Sequence, residues 1–295
     1  MTIEKELTGV KKNVSLKNYT TFRIGGKAKY FFTAKTKEDL IKTVVLAKKL
    51  KMPFFILGRG SNLLVSDKGL KGLVINLKNT KYKISNGRVY AEAGLPLNRL
   101  LSLSAEKGLT GLEWAAGIPG TVGGAVCGNA GWPSSKKNIS SAVENVEVFD
   151  VRAGKAKTFK NKDCQFAYRH SIFKKNNNLI ILSVFLKLKK GKRKNIKKQI
   201  AEIIEKRKKK IPAGFSAGSV FKNPADFSAG ELIEKCGLKG KIIGQAKISE
   251  KHANFIVNLG KARAEDVRKL INLAKKSVKR KFKINLEEEI RYLGP

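Results

Sequence analysis

The stretch Trp114-Ala-Ala-Gly-Ile-Pro-Gly-Thr-Val-Gly-Gly-Ala125 continues as a small-residue run to Gly128-Asn-Ala-Gly131 and carries no charged side chain. Glycine has no Cβ and reaches backbone conformations that other residues avoid. Such a run therefore lets a planar ring or a diphosphate lie directly against the backbone, although a pair of tight turns would explain it too. A membrane span over residues 114–135 is not predicted, since six glycines and two prolines make a poor lipophilic helix.

A second glycine-rich stretch, Ile56-Leu-Gly-Arg-Gly-Ser-Asn-Leu-Leu64, precedes the first along the chain. It begins like a dinucleotide-binding fingerprint, but it lacks the third glycine and leads into a strand-like apolar run instead of a helix. A Rossmann site needs that helix N-terminus for the pyrophosphate, so no Rossmann unit is predicted. Successive backbone N–H groups can still form a concavity that binds an anion. Together, the two stretches favour a large anionic dinucleotide as ligand.

Strand and helix patterns alternate around these stretches. Thr36 and Asp39 form the pattern of a capped helix N-terminus, and Asn86-Gly87 is typical of a two-residue hairpin turn. The composition shifts near residues 190–212, where a basic helix ends before a smaller α+β block, so the domain boundary is predicted there. The fold class is therefore predicted as α+β, with two domains of which the first binds a cofactor. The apolar face of the helix after Thr36 is predicted to consist of Leu40, Ile41, Val44, Val45 and Leu50.

Charge is the most unusual feature of the composition. The chain has 295 residues, with 62 Lys and Arg against 23 Asp and Glu, and a formal net charge of +39. A charge of this size suggests a nucleic-acid partner. However, most of the basic residues are lysines spread along the chain, whereas base recognition favours the bidentate fork of arginine. We interpret the excess as lysine on solvated surfaces, with incidental polyanion binding at low salt.

Several classes of chemistry lack their motifs. Three cysteines far apart do not suit a disulfide scaffold and fit a reducing cytosol. His170 and His252 are the only histidines, so a zinc site is not predicted and no metal is expected. No P-loop motif occurs. The acidic N-terminus has no apolar segment typical of a signal peptide, so a cytoplasmic location is expected.

Several short blocks in order make the chain resemble the UDP-N-acetylenolpyruvoylglucosamine reductases, flavoenzymes of bacterial cell-wall synthesis. The resemblance covers nearly the whole chain and points to the shorter subclass, without the substrate-lid insertion. Besides the two glycine-rich stretches, it rests on Asn18-Tyr-Thr-Thr-Phe-Arg-Ile-Gly-Gly26, Tyr168-Arg-His-Ser171, Gly218-Ser-Val-Phe-Lys-Asn-Pro224, His252-Ala-Asn-Phe255 and Leu286-Glu-Glu-Glu-Ile-Arg291.

The resemblance implies an FAD-binding unit of the vanillyl-alcohol-oxidase (PCMH) type over residues 1–190, with subdomains of about 1–77 and 78–190. A substrate-binding α+β domain would follow over 191–285, and a strand at 286–295 would return toward the flavin. The FAD would be bound non-covalently, because the loop Gly58–Leu63 has no histidine to which the flavin could be attached. The residues implied to bind FAD are Arg23, Gly58, Arg59, Gly60, Ser61, Asn62, Leu63, Ala116, Gly117, Pro119, Gly120, Thr121, Gly123, Gly124, Asn129 and Gly131.

The resemblance also implies the reaction. NADPH would reduce FAD, and a hydride would then pass to C3 of the enolpyruvyl group of enolpyruvyl-UDP-N-acetylglucosamine. Arg169 and Glu289 match the family's residues beside the enolpyruvyl carboxylate and enol, and Ser219 matches the serine that delivers the proton to C2. A monomer without a specific nucleic-acid or membrane partner is expected. The candidates for holding the substrate are Tyr168, Lys222, Asn223 and Gln245.

Two other interpretations remain open at this point. The first is another FAD-linked oxidoreductase of the same fold, which would bind flavin but would not depend on the enolpyruvyl nucleotide. The second is a basic nucleic-acid-binding protein that has lost catalysis. It would be colourless, with binding that depends steeply on salt.

Overall fold

The structure is a computed structural model that describes residues 2–132 and 137–295. Its helices are α1 Ile3–Glu6, α2 Lys37–Lys49, α3 Leu97–Glu106, α4 Val122–Cys127, α5 Ile172–Lys175, α6 Arg193–Lys210, α7 Ala229–Lys235 and α8 Ala264–Phe282. Its strands are β1 Lys11–Ser15, β2 Lys27–Ala34, β3 Phe54–Leu57, β4 Leu63–Val65, β5 Leu70–Leu77, β6 Tyr82–Ser85, β7 Arg88–Glu92, β8 Leu109–Thr110, β9 Gly131–Trp132, β10 Lys137–Asn138, β11 Val143–Asp150, β12 Lys155–Lys160, β13 Leu179–Lys187, β14 Lys189–Lys190, β15 Ile242–Ile243, β16 Ala246–Ile248, β17 Ile256–Asn258 and β18 Arg291–Leu293.

The chain packs into two compact units that interleave along the sequence. Unit 1 comprises residues 1–10, 32–58 and 73–207, and unit 2 comprises residues 11–31, 59–72 and 208–295. Contacts between residues far apart in sequence define these units. They therefore differ from the contiguous domains that the sequence predicts, with a boundary near residues 190–212. The chain passes between them inside the regular elements β2, β5 and α6.

Unit 1 is built on a five-stranded sheet with the order β12-β11-β13-β7-β6. Its central strand β13 buries Leu182, Val184 and Leu186 almost completely, and these alternate residues share one face of the sheet. Edge strand β12 is instead rich in lysine and exposed, as suits a strand that must not pair further. Strands β3 and β5 form a parallel pair in the same unit.

The glycine-rich stretch Trp114–Gly131 contains the short helix α4 in unit 1. Thr121 is its N-cap, and the Thr121 side chain accepts a hydrogen bond from the Gly124 N–H at 3.2 Å. Val122 and Gly123 donate their N–H groups to the Leu95 and Ala93 carbonyls at 2.9 Å each. Gly123 must be glycine, because a Cβ there would lie 2.7 Å from the Ala93 Cβ.

Unit 2 has its own apolar core, in which α7 and α8 pack with the small antiparallel sheet β15-β16-β17. Helix α8 is amphipathic and buries Val267, Leu270, Ile271 and Ala274 at helical spacing. The parallel pair β4–β18 adds the C-terminal end of the chain to this unit.

Local sequence signals are confirmed where they predict turns and caps. Thr36 and Asp39 form a reciprocal capping box, and the Asn86-Gly87 turn joins β6 to β7 with positive φ at both residues. The predicted apolar face of α2 is wrong at Val45, which is 47% exposed. The buried stripe runs through Leu40, Thr43, Val44, Leu46 and Ala47 instead, because positions three and four apart share a helix face.

The last strand covers only part of the segment predicted at 286–295, because β18 spans Arg291–Leu293. Glu289 belongs to a different contact: its N–H donates to the Val220 carbonyl at 2.8 Å. Among the described residues, no helix combines the length and apolarity that crossing a membrane requires.

Candidate functional site

The loop that follows β3 needs glycine at position 60. Gly60 has a φ of +60°, and a Cβ there would lie 2.3 Å from the Tyr19 carbonyl oxygen. Thr21 in turn donates its N–H to the Gly60 carbonyl at 3.3 Å. The loop is therefore pressed against the Tyr19–Thr21 backbone of unit 2, in a conformation that a larger residue would disrupt.

Asn62 connects this loop to Glu289. Its side-chain amide donates to the Glu289 carbonyl oxygen at 3.1 Å, and its own carbonyl accepts the Arg291 N–H at 3.0 Å. The parallel pairing of Leu63 with Arg291 continues this connection into β4 and β18. Two predicted site segments that are far apart in sequence thus adjoin in unit 2.

Ser219 begins a segment that is hydrogen-bonded on two sides. On one side, Ser219 bridges to Phe255, and the Val220 N–H donates to the Asn254 carbonyl at 2.8 Å. On the other side, the Val220 carbonyl accepts the Glu289 N–H at 2.8 Å. Ser219, Glu289 and Asn62 are therefore joined within unit 2 by consecutive backbone contacts.

The predicted substrate residues of unit 2 differ in their relation to this segment. Lys222 forms an ion pair with Glu287, whose side chain is 72% exposed, and its N–H donates to the Glu287 carbonyl at 2.8 Å. The Asn223 side chain accepts the Ala229 N–H at 3.1 Å at the start of α7. Both residues directly continue the Ser219 segment.

Gln245 lies at the other end of the small sheet. Its carbonyl accepts the Leu259 N–H at 2.9 Å, whereas Ser219 bridges to Phe255. At roughly 3.3 Å per strand residue, four residues of β17 and its flanks separate these positions by about 13 Å. The structure does not bring Gln245 next to Ser219, and its role in substrate binding stays a prediction.

Arg23 completes the predicted residues of unit 2. It has a φ of +55°, its guanidinium lies 5.5 Å from the centre of the Phe215 ring, and it donates to the Asn18 side chain at 3.4 Å. Arg23 thus points its charge over an aromatic ring near the start of the motif that contains it.

Tyr168 and Arg169 form the tip of a tight turn in unit 1. Ala167 and His170 exchange backbone hydrogen bonds at 3.2 and 3.1 Å, and Arg169 has a φ of +54°. The Arg169 guanidinium donates to the Gly131 carbonyl at 3.0 Å and lies 5.5 Å from the centre of the Tyr168 ring. The turn therefore holds the predicted catalytic arginine against the end of the glycine-rich stretch.

The buried side chain of Asn129 holds this turn in place through hydrogen bonds. Its amide donates to the Ala167 carbonyl at 2.9 Å and accepts the Ser140 N–H at 3.3 Å, and the residue is 4% exposed. Ser171, fully buried, donates to the Cys127 carbonyl at 2.7 Å. Binding of a cofactor by Asn129 stays a prediction and would fall to its backbone.

Sequence reasoning missed Arg207. Its guanidinium lies 4.9 Å from the centre of the Trp132 ring and donates to the Trp114 carbonyl at 3.3 Å. Its Cδ lies 3.1 Å from the position a Cβ would take at Gly117, whose φ is +75°. Burial, and then the nearby charge of Arg169, lower the pKa of Arg207. Arg169 and Arg207 thus both contact the stretch Trp114–Gly131. The sequence signal for Arg207 is an arginine inside a run of lysines.

The residues fit an anionic dinucleotide such as FAD. The Gly60 and Asn62 carbonyls, which would repel a phosphate, already accept hydrogen bonds inside unit 2. In unit 1, Gly58 lies so close to Thr121 that a Cβ would stand 2.8 Å from its Oγ1. The residues predicted to bind this group are uncharged apart from Arg23 and Arg59. A basic pair, Arg169 and Arg207, adjoins the stretch Trp114–Gly131.

Comparisons with known proteins agree with this description. The family described as "UDP-N-acetylenolpyruvoylglucosamine reductase, C-terminal domain" matches residues 206–293, and an "FAD binding domain" family matches residues 28–160. A UDP-N-acetylenolpyruvoylglucosamine reductase of Caldicellulosiruptor bescii is 46% identical over 96% of this chain and 90% of its own length. The reductase of the same name from Caldanaerobacter subterraneus is 42% identical over 96% of this chain and 93% of its own length.

The chain belongs to the UDP-N-acetylenolpyruvoylglucosamine reductase family. A crystal structure of a member from Thermus caldophilus superposes with a TM-score of 0.83 at 38% identity, and the match covers 96% of this chain and 98% of that one. The predicted family, the α+β fold with its FAD-binding domain, and the FAD cofactor are thereby confirmed. As a member of the reductase family, the protein is an FAD-dependent oxidoreductase, and the interpretation as a nucleic-acid-binding protein is discarded. The roles of individual site residues stay predictions.

Proposed function

We propose that this enzyme uses NADPH to reduce enolpyruvyl-UDP-N-acetylglucosamine to UDP-N-acetylmuramate for peptidoglycan synthesis, with Arg169, Ser219 and Glu289 as its catalytic residues. The observation that carries the proposal is the backbone connection in unit 2, where Glu289 contacts both Val220, next to Ser219, and Asn62 in the glycine loop. A proton donor and a carboxylate thus adjoin a loop suited to phosphate.

The protein's residues have three tasks in this reaction. FAD held by the glycine-rich loops would supply the hydride chemistry that links NADPH to C3 of the enolpyruvyl group. Negative charge then develops at C2 and the attached carboxylate, and the planar fork of Arg169 suits a carboxylate in two-point contact. Ser219 is proposed to deliver its hydroxyl proton to C2 and to recover a proton from solvent. Glu289, whose N–H is bonded to the residue after Ser219, is proposed to orient the enol and the proton donor.

Lys222 is proposed to contact the substrate diphosphate. Its ion-pair partner Glu287 has a side chain that is 72% exposed, so the Glu287 carboxylate can turn into solvent and leave the Lys222 ammonium to a diphosphate. Asn223, next in the chain, is proposed to help through its amide, and Tyr168, which is 49% exposed, to contact the substrate from unit 1. We further propose that the enzyme works in the cytoplasm as a monomer.

The test is anaerobic NADPH oxidation by the FAD-loaded protein, with and without enolpyruvyl-UDP-N-acetylglucosamine. Turnover that needs the nucleotide is the expected result. Flavin reduction that is never followed by nucleotide-dependent reoxidation would instead favour another substrate for the same FAD-binding fold.

A further inference from the structure

Asn254 is a buried polar residue that none of the predicted roles uses. It lies in unit 2, in the connection between β16 and β17, and is 3% exposed. Burying an amide is costly unless its donor and acceptor both find partners. Here both partners belong to one residue of the segment that carries Ser219.

The Asn254 side chain pairs with the backbone of Phe221. Its Oδ1 accepts the Phe221 N–H at 2.8 Å, and its Nδ2 donates to the Phe221 carbonyl at 2.8 Å. The side chain therefore makes the two bonds that a neighbouring strand would make. An isolated bridge joins Phe221 to Glu288 on the other side, and the Lys222 N–H donates to Glu287.

The backbone of Asn254 contributes as well. Its carbonyl accepts the Val220 N–H at 2.8 Å, and its own N–H donates to Nδ1 of His252 at 3.2 Å. The acceptor role of Nδ1 requires this nitrogen to be unprotonated. Asn254 thus holds three consecutive peptide groups that begin directly after Ser219, those joining residues 219–220, 220–221 and 221–222.

We propose that Asn254 is a positioning residue that sets the orientation of Ser219 for proton delivery by fixing the Val220–Phe221 backbone. The inference rests on the proposed function, since it assigns Ser219 the proton transfer. Catalytic groups must be held within fractions of an ångström of the productive geometry. Asn254 does not touch the reacting atoms, so its loss affects only the half-reaction in which Ser219 acts.

The experiment compares Asn254→Leu with the wild-type enzyme by stopped flow, following FAD reduction by NADPH and reoxidation by enolpyruvyl-UDP-N-acetylglucosamine separately. We expect reduction within about twofold of wild type and reoxidation slowed about tenfold or more. The matched control is Asn79→Leu in unit 1. Asn79 is fully buried, and its amide donates to the Leu182 carbonyl of the same unit at 3.4 Å. The control should keep both rates.

A folded Asn254→Leu enzyme with wild-type reoxidation overturns the inference, and so does an equal loss in both half-reactions. Wild-type protein that is reduced by NADPH but never reoxidised by the nucleotide would overturn the proposed function instead, a result visible before any variant is made.

Asn254→Asp tests the same inference if the leucine variant does not fold. Aspartate keeps the acceptor for the Phe221 N–H but can donate to the Phe221 carbonyl only when protonated. A buried carboxyl group facing a carbonyl oxygen holds its proton to higher pH than usual. We expect the ratio of variant to wild-type reoxidation rates to rise as the pH falls from about 8.5 to 5.5. A constant ratio overturns the positioning role.

Discussion

The side-chain amide of Asn62 donates a hydrogen bond to the backbone carbonyl of Glu289 at 3.1 Å, across most of the length of the chain. The same Glu289 donates its N–H to Val220, the neighbour of Ser219. A residue of the glycine loop thereby holds the backbone of a glutamate predicted to act on the substrate. We expect variants of these residues to distinguish FAD reduction from FAD reoxidation.

Asn62→Ala removes this contact while leaving the loop backbone unchanged. We expect the variant to retain FAD, because backbone N–H groups remain to bind phosphate. Reoxidation by the enolpyruvyl nucleotide should slow about fivefold, since the loss of one hydrogen bond of about 1 kcal/mol loosens Glu289. Flavin absorbance of the purified protein and stopped-flow kinetics measure both effects. Unchanged reoxidation would show that the Asn62 contact does not position Glu289.

Ser219→Ala removes the proposed proton donor. Reduction of FAD by NADPH should remain near the wild-type rate, whereas reoxidation should fall about a hundredfold or more, within the usual range for general acid catalysis. Ser228→Ala is the control, because Ser228 caps α7 in the same unit and accepts the Glu231 N–H at 3.4 Å. It should lower the melting temperature without changing either rate. Wild-type reoxidation by Ser219→Ala would exclude Ser219 as the donor.

Arg169→Lys keeps the positive charge but removes the planar fork. We expect reoxidation to slow by about tenfold to a hundredfold and FAD reduction to change little, because two-point contact with a carboxylate needs guanidinium geometry. Arg88→Lys serves as control: Arg88 is mostly exposed in unit 1 and approaches Glu144 only at 3.8 Å. If the lysine variant at position 169 turns over normally, charge alone suffices there.

Gly60→Ala should abolish FAD binding. The added Cβ would lie 2.3 Å from the Tyr19 carbonyl, and a φ of +60° is unfavourable for alanine, so the loop must move. Gly237→Ala is the matched control in unit 2, because Gly237 has a φ of +71° but nothing within 4 Å of an added Cβ. Flavin content after purification distinguishes them: the Gly237 variant should stay yellow and the Gly60 variant should be colourless. Equal flavin content would contradict the predicted role of this loop.

Protonation of His252 should lower the free energy of unfolding in mild acid. Burial, together with Lys239 and Lys210, lowers the pKa of His252. The unfolded chain then binds a proton at higher pH than the folded one, so stability falls as the pH drops below about 6.5, by at most about 1.4 kcal/mol per pH unit. His252→Gln lacks this titration. Urea unfolding between about pH 5 and 8 should show a smaller acid loss in the variant than in the wild type. Parallel curves would assign the acid sensitivity to other groups.

Part of the fold could be predicted from local signals because their causes are local. The capping box of Thr36 and Asp39 and the Asn86-Gly87 turn depend on residues a few positions apart, and both are present. The predicted apolar face of α2 was wrong at Val45, which is exposed, because Thr43 and Ala47 are buried against the core instead. The family, its fold and its flavin followed from several motifs in order, none of which is sufficient alone.

The site was predictable as a set of residues but not as an arrangement. Nothing in the spacing of Asn129 indicates that its side chain anchors the Tyr168–Arg169 turn. Arg207 stands in a run of lysines and carries no motif, and its relation to Trp132 and Arg169 arises from packing. Contacts between residues far apart in sequence depend on the assembled core.

By itself, the sequence determined the chemistry of this protein: glycine loops suited to a large anionic ligand, an arginine, a serine and a glutamate in family motifs, and no metal-binding motif. The tertiary structure decided which of these residues are neighbours. The Asn62–Glu289 bond and the pairing of Asn254 with Phe221 join segments separated by long stretches of chain. Such contacts form only when burial of the unit 2 core offsets the entropy of closing those long loops.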